Sequence, residues 1–271
     1  CLSVLSQANE VGITTLCDQG TGLFQGVKEL DLYESMRTSN QMNARLRYSV
    51  GHALAQRWDE VGLKWNSGDS WVRVTGWKIV SDGSNQGRTG LQREPFLNSE
   101  ESGIAYIEFD ELDRAVEDRL TQGWSVCVHA NGDEAIDRIL KVYERVDEMG
   151  LGPGDRRCRI EHCSILHDDQ IQKMADLGIS PSFLIGHVYY WGAAFVNDVF
   201  GLDKKNKVGL FPNQVLGERK HTFDAELFHN CPDNIDIFGY YQTHKYFEHI
   251  EDEIREDFTF DTELVKSCKE F

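Results

Sequence analysis

The sequence has few basic residues and no long apolar run, and each shortage excludes a class of protein. Lysine and arginine number 28 against 45 aspartates and glutamates, which gives a formal net charge of −17 at pH 7. Because nucleic-acid binding depends on clustered basic side chains, we expect no nucleic-acid partner. No apolar run approaches the length of a membrane span and no signal peptide is visible. We therefore expect no membrane partner and a cytoplasmic protein.

Several catalytic and binding motifs are also absent. The patterns GxGxxG and GxxxxGK[ST] do not occur, which excludes the common phosphate-binding loops, and no GxSxG nucleophile elbow exists. The seven cysteines never form CxxC, so we predict buried free thiols in a reducing compartment and no disulfide framework. They are Cys1, Cys17, Cys127, Cys158, Cys163, Cys231 and Cys268.

What the sequence does have is a regular alternation of short apolar segments with amphipathic stretches. This alternation predicts a parallel sheet with right-handed crossovers. About six strand–helix units precede residue 200, whereas a closed eight-stranded barrel needs ~250 residues. We therefore predict an α/β fold with a partial (β/α)8 TIM barrel, about strands two to seven. The predicted strands are 13–17, 45–50, 71–80, 124–129, 158–162 and 179–184.

Two of the predicted strands end in a histidine. His129 closes the strand 124–129, and His162 closes the strand 158–162. In (β/α) barrels the chemistry lies at the carboxyl ends of the strands. Imidazoles at such positions suit Zn2+, Mn2+ or Fe2+. The two histidines are candidate metal ligands, and the alternative is that each is an ordinary core or surface histidine.

Four further residues near the strand ends could carry chemistry. Lys78 lies within an apolar strand, where it either points outward or serves as a charge partner or metal-bridging group. Asp82, two residues beyond that strand, is a second possible carboxylate. His187 follows the last predicted strand, in an aromatic-rich loop that either packs on the barrel mouth or contacts substrate or metal. Glu161 alternates with His162 and is expected to face the helices.

Five segments recur in an order that resembles one family. They resemble the amidohydrolase superfamily, specifically the amidohydrolase-3 (YtcJ-like) group, over residues 1–201. The resemblance implies a TIM barrel with one or two divalent metal ions that hydrolyses a C–N amide-type bond of a small molecule through metal-activated water. The segments are Gly12-Ile-Thr-Thr-Leu-Cys-Asp18, Val74-Thr-Gly-Trp-Lys-Ile-Val-Ser-Asp-Gly-Ser84, Val128-His-Ala-Asn-Gly-Asp-Glu-Ala-Ile-Asp137, Arg159-Ile-Glu-His-Cys163 and Pro181-Ser-Phe-Leu-Ile-Gly-His-Val-Tyr-Tyr-Trp-Gly192.

The resemblance implies a role for each candidate residue. His129 and His162 take the positions of metal ligands, with Zn2+ as the preferred ion. Lys78 takes the position that is carboxylated in some relatives and bridges two metals. These three residues are the predicted catalytic and metal-binding set. Asp82 and His187 are the predicted substrate-binding residues.

The sequence also departs from the family pattern. The family's HxH pair has no counterpart, since no histidine precedes His52, and its strand-eight aspartate lies beyond the resemblance. We therefore expect an incomplete metal site that does not retain its metal well and has weak or no activity. An open barrel edge would be a template for pairing, so we also expect self-association or a complementing partner.

A second resemblance begins where the first ends. Residues 208–271 resemble part of an α-1,2-fucosyltransferase, in the segments 221–229, 233–242 and 245–258. That family's HxRRxDY-type donor motif would follow such a helix and is not in the chain. We predict two domains, a partial barrel over 1–201 and a small, mostly helical segment over 202–271, whose join is a fusion, a misassembled gene model or an artificial sequence. The first residue, Cys1, further suggests a fragment or processed form. The alternatives are a fucosyltransferase-related protein without its donor motif and a non-catalytic globular remnant.

Overall fold

A single parallel sheet of six strands forms the centre of the protein. The computed structural model describes residues 1–184 and 186–201. Each strand pairs only with its neighbours in the chain, so the strands lie in sequence order and curve into a half-barrel. The predicted partial (β/α) barrel is therefore confirmed. The strands are β1 (Thr15–Thr21), β2 (Arg45–Gly51), β3 (Val72–Val80), β4 (Val126–Ala130), β5 (Arg159–His162) and β6 (Ser180–Phe183).

Helices connect the successive strands and pack on the outside of the sheet. Short 3-10 turns precede the second and third helices, at Gly26–Lys28 and His52–Leu54, and a π-helical turn, Phe195–Val199, follows the last. Among the described residues no helix is both long enough and apolar enough to cross a bilayer. The helices are α1 (Leu2–Glu10), α2 (Glu29–Thr38), α3 (Ala55–Val61), α4 (Phe109–Thr121), α5 (Asp133–Glu148), α6 (Asp168–Leu177) and α7 (Gly186–Ala194).

Alternation along each strand divides the sheet into two faces. In β4 the side chains of Val126, Val128 and Ala130 join the main apolar core beneath the helices. Cys127 and His129 therefore point to the opposite side, which we call the inner face of the half-barrel. Because the side chains alternate, every second residue of a strand points toward the inner face, and in barrels the catalytic residues lie at the carboxyl ends of the strands.

Helix α5 shows how the outer layer is held in place. Its residues Ile136, Ile139, Tyr143 and Val146 recur at helical spacing and are all buried against the sheet. Burying a large apolar side chain contributes roughly 1.5–3 kcal/mol, so this stripe fixes the helix against β4. Because α5 begins at Asp133, its packing also fixes the loop that follows β4.

The last described helix differs from the prediction for this segment. We expected an aromatic-rich loop after β6, whereas Gly186–Ala194 is helical. The helix begins where the His187 N–H donates to the Leu184 carbonyl, at 2.9 Å. A second apolar cluster, which the sequence pattern did not reveal, anchors the following turn. It contains Phe96, Ile165, Phe195, Val199 and Phe200.

The described cysteines are free thiols. Cys127, Cys158 and Cys163 are buried, as predicted, but Cys1 and Cys17 are exposed. The predicted segment 202–271 and its fucosyltransferase resemblance lie outside the described residues. The predicted boundary near residue 201 therefore stays a prediction.

A buried guanidinium links two of the outer helices. Arg119 of α4 is 6% exposed and donates to both Asp59 carboxylate oxygens of α3, at 2.6 and 2.9 Å. Its guanidinium carbon also lies 3.9 Å from the centre of the Trp77 ring. The Arg119 hydrogen bond is the largest cause of a lowered pKa of Asp59. The pair therefore clamps α3 and α4 over β3.

We predict that Asp59→Asn destabilises the chain by about 1–2 kcal/mol, because it removes the carboxylate that accepts from both terminal nitrogens of Arg119 and leaves Asp118, at 3.1 Å, as the remaining carboxylate partner. The half-exposed position of Asp59 limits the loss. Urea unfolding measures the difference. A lowered folded pKa means that the contribution is present above the unfolded pKa of about 4 and is lost as the pH falls. The stabilities of the variant and of the wild type should therefore converge in acid.

Glu60→Gln, at an exposed pair with Arg57, is the control and should change stability by less than about 0.5 kcal/mol. Equal losses in the two variants would contradict the clamp.

Candidate functional site

Two histidine rings meet at the carboxyl ends of adjacent strands. His129 is the penultimate residue of β4, His162 is the last residue of β5, and the centres of their rings are 4.4 Å apart with an interplanar angle of 76°. In the β4–β5 register, Ala130 lies opposite His162 and His129 lies opposite Glu161. The two predicted ligand residues are therefore neighbours in space. The parallel register of the two strands brings their ends to one place.

The backbone at His162 leaves the strand conformation. Its φ is +77°, and Cys163 follows with a φ of +44°. Non-glycine residues rarely occupy this left-handed region, and those that do cluster at functional sites. The turn frees His162 from strict strand alternation and brings its ring beside that of His129.

The same departure corrects the expectation for Glu161. We expected its side chain to face the helices, but it lies on the inner face, where its carboxylate forms an ion pair with Arg159 at 2.9 Å. Ile160, between these two residues, is the one that joins the outer core. Simple alternation counted back from His162 failed because His162 is not in strand conformation.

Asp82 lies beneath the histidine pair and has no exposed surface. One carboxylate oxygen accepts the backbone N–H groups of Leu91 and Gly132, at 2.9 and 2.8 Å, and the other accepts that of Asn131 at 3.0 Å. Its Oδ1 is also 3.3 Å from His129 Nε2. Asp82 thus connects the loop after β3 to the loop after β4 and touches the ring of His129.

The surroundings of His129 Nε2 indicate which ring nitrogen is free. Nε2 lies 3.0 Å from the Gly83 carbonyl oxygen and 3.3 Å from Asp82 Oδ1, which accept hydrogen bonds, and 3.1 Å from Asn131 Nδ2, which is a donor. Because Asn131 Nδ2 already donates to the Gly83 carbonyl at 2.7 Å, the two acceptors favour a proton on Nε2, and the neutral ring then carries its lone pair on Nδ1. Ligand histidines commonly donate their other N–H to a carbonyl or carboxylate in this way. The arrangement suits a metal ligand that binds through Nδ1.

Burial keeps His162 in its neutral form. Burial is the largest of the effects that lower its pKa to about 2, and the charges of His129, Lys78 and His187 act in the same direction. A neutral imidazole has a lone pair and can bind a cation. His162 is therefore available as a ligand over the whole physiological pH range.

Lys78 lies on the inner face between the core residues Trp77 and Ile79. It is 6% exposed, which resolves the alternative that it points outward into solvent. Burial is the first cause of its lowered pKa, and the charge of Arg159 adds to it, while Glu161 acts in the opposite direction. Lys78 is thus a buried amine close enough to influence His162 electrostatically.

His187 reaches the site through two intermediate side chains. Its Nδ1 is 2.9 Å from Ser164 Oγ, and Ser164 Oγ is 2.6 Å from Asn131 Oδ1. Asn131 Nδ2 in turn lies 3.1 Å from His129 Nε2. Burial, followed by the charge of His129, lowers the pKa of His187.

Sequence reasoning missed Asn131 and Ser164. Both side chains are buried, and each lies two residues after one of the histidines, just past the end of β4 or β5. Their positions in the sequence could have indicated them, because both are polar residues just after the histidines, in the loops that precede α5 and α6. Their partners could not be read from the chain because they come from different strand ends.

The residues brought together provide an incomplete set of metal donors. Two imidazoles meet and the amine of Lys78 acts on one of them electrostatically, but no group of three or more histidine, cysteine, aspartate or glutamate side chains that could hold a metal occurs in residues 1–184 and 186–201. Catalytic zinc sites usually have three protein ligands. The donors therefore suit two ligand positions of such a site rather than all of them.

Comparison with known proteins gives a consistent match. A family model described as "Amidohydrolase family" matches residues 3–212. The putative amidohydrolase YtcJ of Bacillus subtilis (strain 168) is 28% identical over 149 residues, which are 55% of this chain and 27% of that protein. The N-substituted formamide deformylase of Arthrobacter pascens is 33% identical over 90 residues, 33% of this chain and 16% of that enzyme. The chain thus spans less than a third of the length of either relative.

A solved structure has the same fold. An uncharacterized metal-dependent hydrolase from Pyrococcus horikoshii OT3 superimposes with a TM-score of 0.65 over 82% of this chain and 45% of that chain, at 21% identity. At this level of identity the likeness concerns the fold alone. It agrees with the six-stranded half-barrel described above.

We predict that Asp82→Asn lowers stability by about 2–4 kcal/mol, because the amide replaces one acceptor oxygen by a donor that faces backbone N–H groups. Asp147→Asn, at an exposed position of α5, is the matched control and should lie within about 0.5 kcal/mol of wild type. Urea unfolding followed by circular dichroism measures both. An Asp82→Asn variant as stable as the control would show that the carboxylate does not hold the two loops.

Proposed function

Since this chain belongs to the amidohydrolase family, we propose that it contributes the histidine pair of a metal-dependent hydrolase that cleaves a C–N amide-type bond of a small molecule. The observation that carries the proposal is the contact of two imidazoles at neighbouring strand ends, 4.4 Å between ring centres. One ring is held by acceptors at Nε2, and burial keeps the other neutral. Metal-binding histidines need a fixed ring orientation and a free lone pair, and these two rings have both.

We propose that a divalent cation, with Zn2+ as the preferred ion, binds to His129 through Nδ1 and to His162. Imidazole nitrogen suits Zn2+ better than it suits Mg2+ or Ca2+, which prefer oxygen. Such an ion supplies Lewis-acid polarisation of the scissile carbonyl and lowers the pKa of water.

Lys78 is the proposed third member of the set. Burial lowers the pKa of Lys78, which makes the uncharged amine more accessible than in an exposed lysine, and the uncharged amine is the form that can act as a ligand or be carboxylated. The family resemblance implies a substrate-binding role for Asp82. Its complete burial and its contacts with backbone N–H groups support a positioning role for His129 instead. His187 remains the proposed substrate contact.

We propose weak activity for the chain itself. Two ring nitrogens and one amine are fewer firm ligands than most catalytic zinc sites have. The name of the Arthrobacter relative directs the choice of substrates toward N-substituted formamides. Self-association at the open edges of the half-barrel is a further expectation that follows from unpaired strand groups.

The test is zinc affinity by chelator competition, together with hydrolysis of a panel of N-formyl and N-acyl amines. We expect measurable Zn2+ binding and slow turnover above the uncatalysed rate. His162→Ala should weaken zinc binding by more than about ten-fold, because loss of a ligand exceeds the 10–100-fold effect typical of its supporting residues.

The matched control is His52→Gln. His52 is a partly buried histidine whose Nδ1 accepts from Trp77 Nε1 at 3.0 Å, and glutamine can preserve that contact. The control should bind zinc as wild type does. Equal zinc affinity and equal turnover in His162→Ala and wild type would contradict the proposed site.

A further inference from the structure

A continuous hydrogen-bonded chain crosses the mouth of the half-barrel from α7 to β4. It runs from His187 through Ser164 and Asn131 to the Gly83 carbonyl, which also contacts His129. Ser164 and Asn131 are buried, so the middle of the chain is shielded from water, while His187 and His129 at its ends are half-buried. Buried polar groups are hydrogen-bonded, so each N–H or O–H along this chain faces an acceptor. This requirement determines which atom carries each proton.

The first step concerns the amide of Asn131. One end of the amide lies 2.7 Å from the Gly83 carbonyl oxygen, which can only accept. That end must be the Nδ2 donor, so the other end, 2.6 Å from Ser164 Oγ, is the Oδ1 acceptor. The orientation of the amide is therefore fixed by its two neighbours.

The second step concerns the single proton of the Ser164 hydroxyl. Since Asn131 Oδ1 can only accept, Ser164 donates its proton there. The hydroxyl has no proton left for His187, whose Nδ1 is 2.9 Å away. Nδ1 must then carry the proton and donate to Ser164 Oγ. A neutral imidazole has one ring proton, so the lone pair of His187 is on Nε2.

From this chain we infer that Ser164 and Asn131 are positioning residues that lock His187 as the Nδ1–H tautomer, so that its Nε2 accepts a hydrogen bond from the N–H of a secondary amide or formamide substrate. The inference rests on the proposed function for the identity of the substrate. The tautomer itself depends only on His187, Ser164, Asn131 and the Gly83 carbonyl. Asn131 links the two ends of the chain because its Nδ2 donates to the Gly83 carbonyl, which also lies 3.0 Å from His129 Nε2.

The chemical consequence is a preference between substrates. A secondary amide offers an N–H donor to an acceptor nitrogen, whereas a tertiary amide does not. A site built to receive a hydrogen bond discriminates strongly against analogues that lack the donor. The neutral state of His187 that this role requires agrees with the lowering of its pKa by burial and by the charge of His129.

The first measurement is the tautomer of His187, read from long-range 1H–15N NMR spectra of the full chain labelled with 15N-histidine. The His187→Gln variant identifies the signal. We expect the Nδ1–H form in wild type and a shift toward Nε2–H in Ser164→Ala, which has no hydroxyl to receive the proton. Ser164→Thr keeps a hydroxyl and should keep the wild-type tautomer. The inference is overturned by an Nε2–H tautomer in wild type or by an unchanged tautomer in Ser164→Ala.

The matched control is Ser125→Ala. Ser125 is similarly buried, and its hydroxyl donates to the Arg157 carbonyl at 3.1 Å, at the amino end of β4 away from the histidines. This variant should leave the His187 tautomer unchanged. A shift equal to that of Ser164→Ala would assign the effect to general loosening and would also overturn the inference.

The second measurement compares a secondary formamide with its N-methylated tertiary analogue. Ser164→Ala should lower kcat for the secondary substrate by about ten-fold, the scale of supporting-residue effects, and should reduce the preference for it. If the tautomers are as expected but no variant hydrolyses either substrate, the proposed function is wrong and the assignment of the His187 tautomer still holds. Hydrolysis with an unchanged preference in Ser164→Ala would overturn the inference and leave the proposed function standing.

Discussion

The buried carboxylate of Asp82 holds together the two loops from which the site is built. Three backbone N–H groups, from Leu91, Asn131 and Gly132, converge on it from segments about forty residues apart in the chain. The close approach also explains Gly132, since a β-carbon there would lie 1.9 Å from the Leu91 carbonyl oxygen. Removing a carboxylate from water is expensive unless donors replace the water, and here the backbone supplies them. His129 is positioned as a consequence, because its ring rests on the same carboxylate.

The second constraint is the left-handed backbone at His162. Such a conformation costs on the order of 1 kcal/mol or more for a residue with a β-carbon, and it persists only where the surroundings enforce it. Here the Cys163 N–H donates to the Ala130 carbonyl at 3.0 Å and holds the turn against β4. The strain brings the His162 ring into contact with that of His129. Lys78, Arg159 and Glu161 lie on the inner face of the half-barrel, where their charges influence one another in a region that excludes water.

A third feature is the sharing of one amide between two histidines. Asn131 contacts the carbonyl beside His129 with its nitrogen and Ser164 with its oxygen, and Ser164 contacts His187. Orientation of imidazoles by outer partners is a general property of sites that bind metals or substrates. In this protein the outer partners come from β3, β4 and β5, so the geometry of the sheet and the protonation of the site are linked.

The sequence by itself determined the fold class, the order of the strands and the positions of His129, His162 and Lys78 at strand ends, because local apolar periodicity encodes which residues face the helices. Only the tertiary structure decided what those residues touch. The burial of Asp82, the helix at His187, the inner-face position of Glu161 and the linking roles of Asn131 and Ser164 all depend on contacts between separate strand ends. Alternation predicts the direction of a side chain only while the backbone stays extended, and at His162 it does not. The physical reason is that hydrogen bonds between distant loops are absent from any local pattern, whereas the apolar periods are present in it.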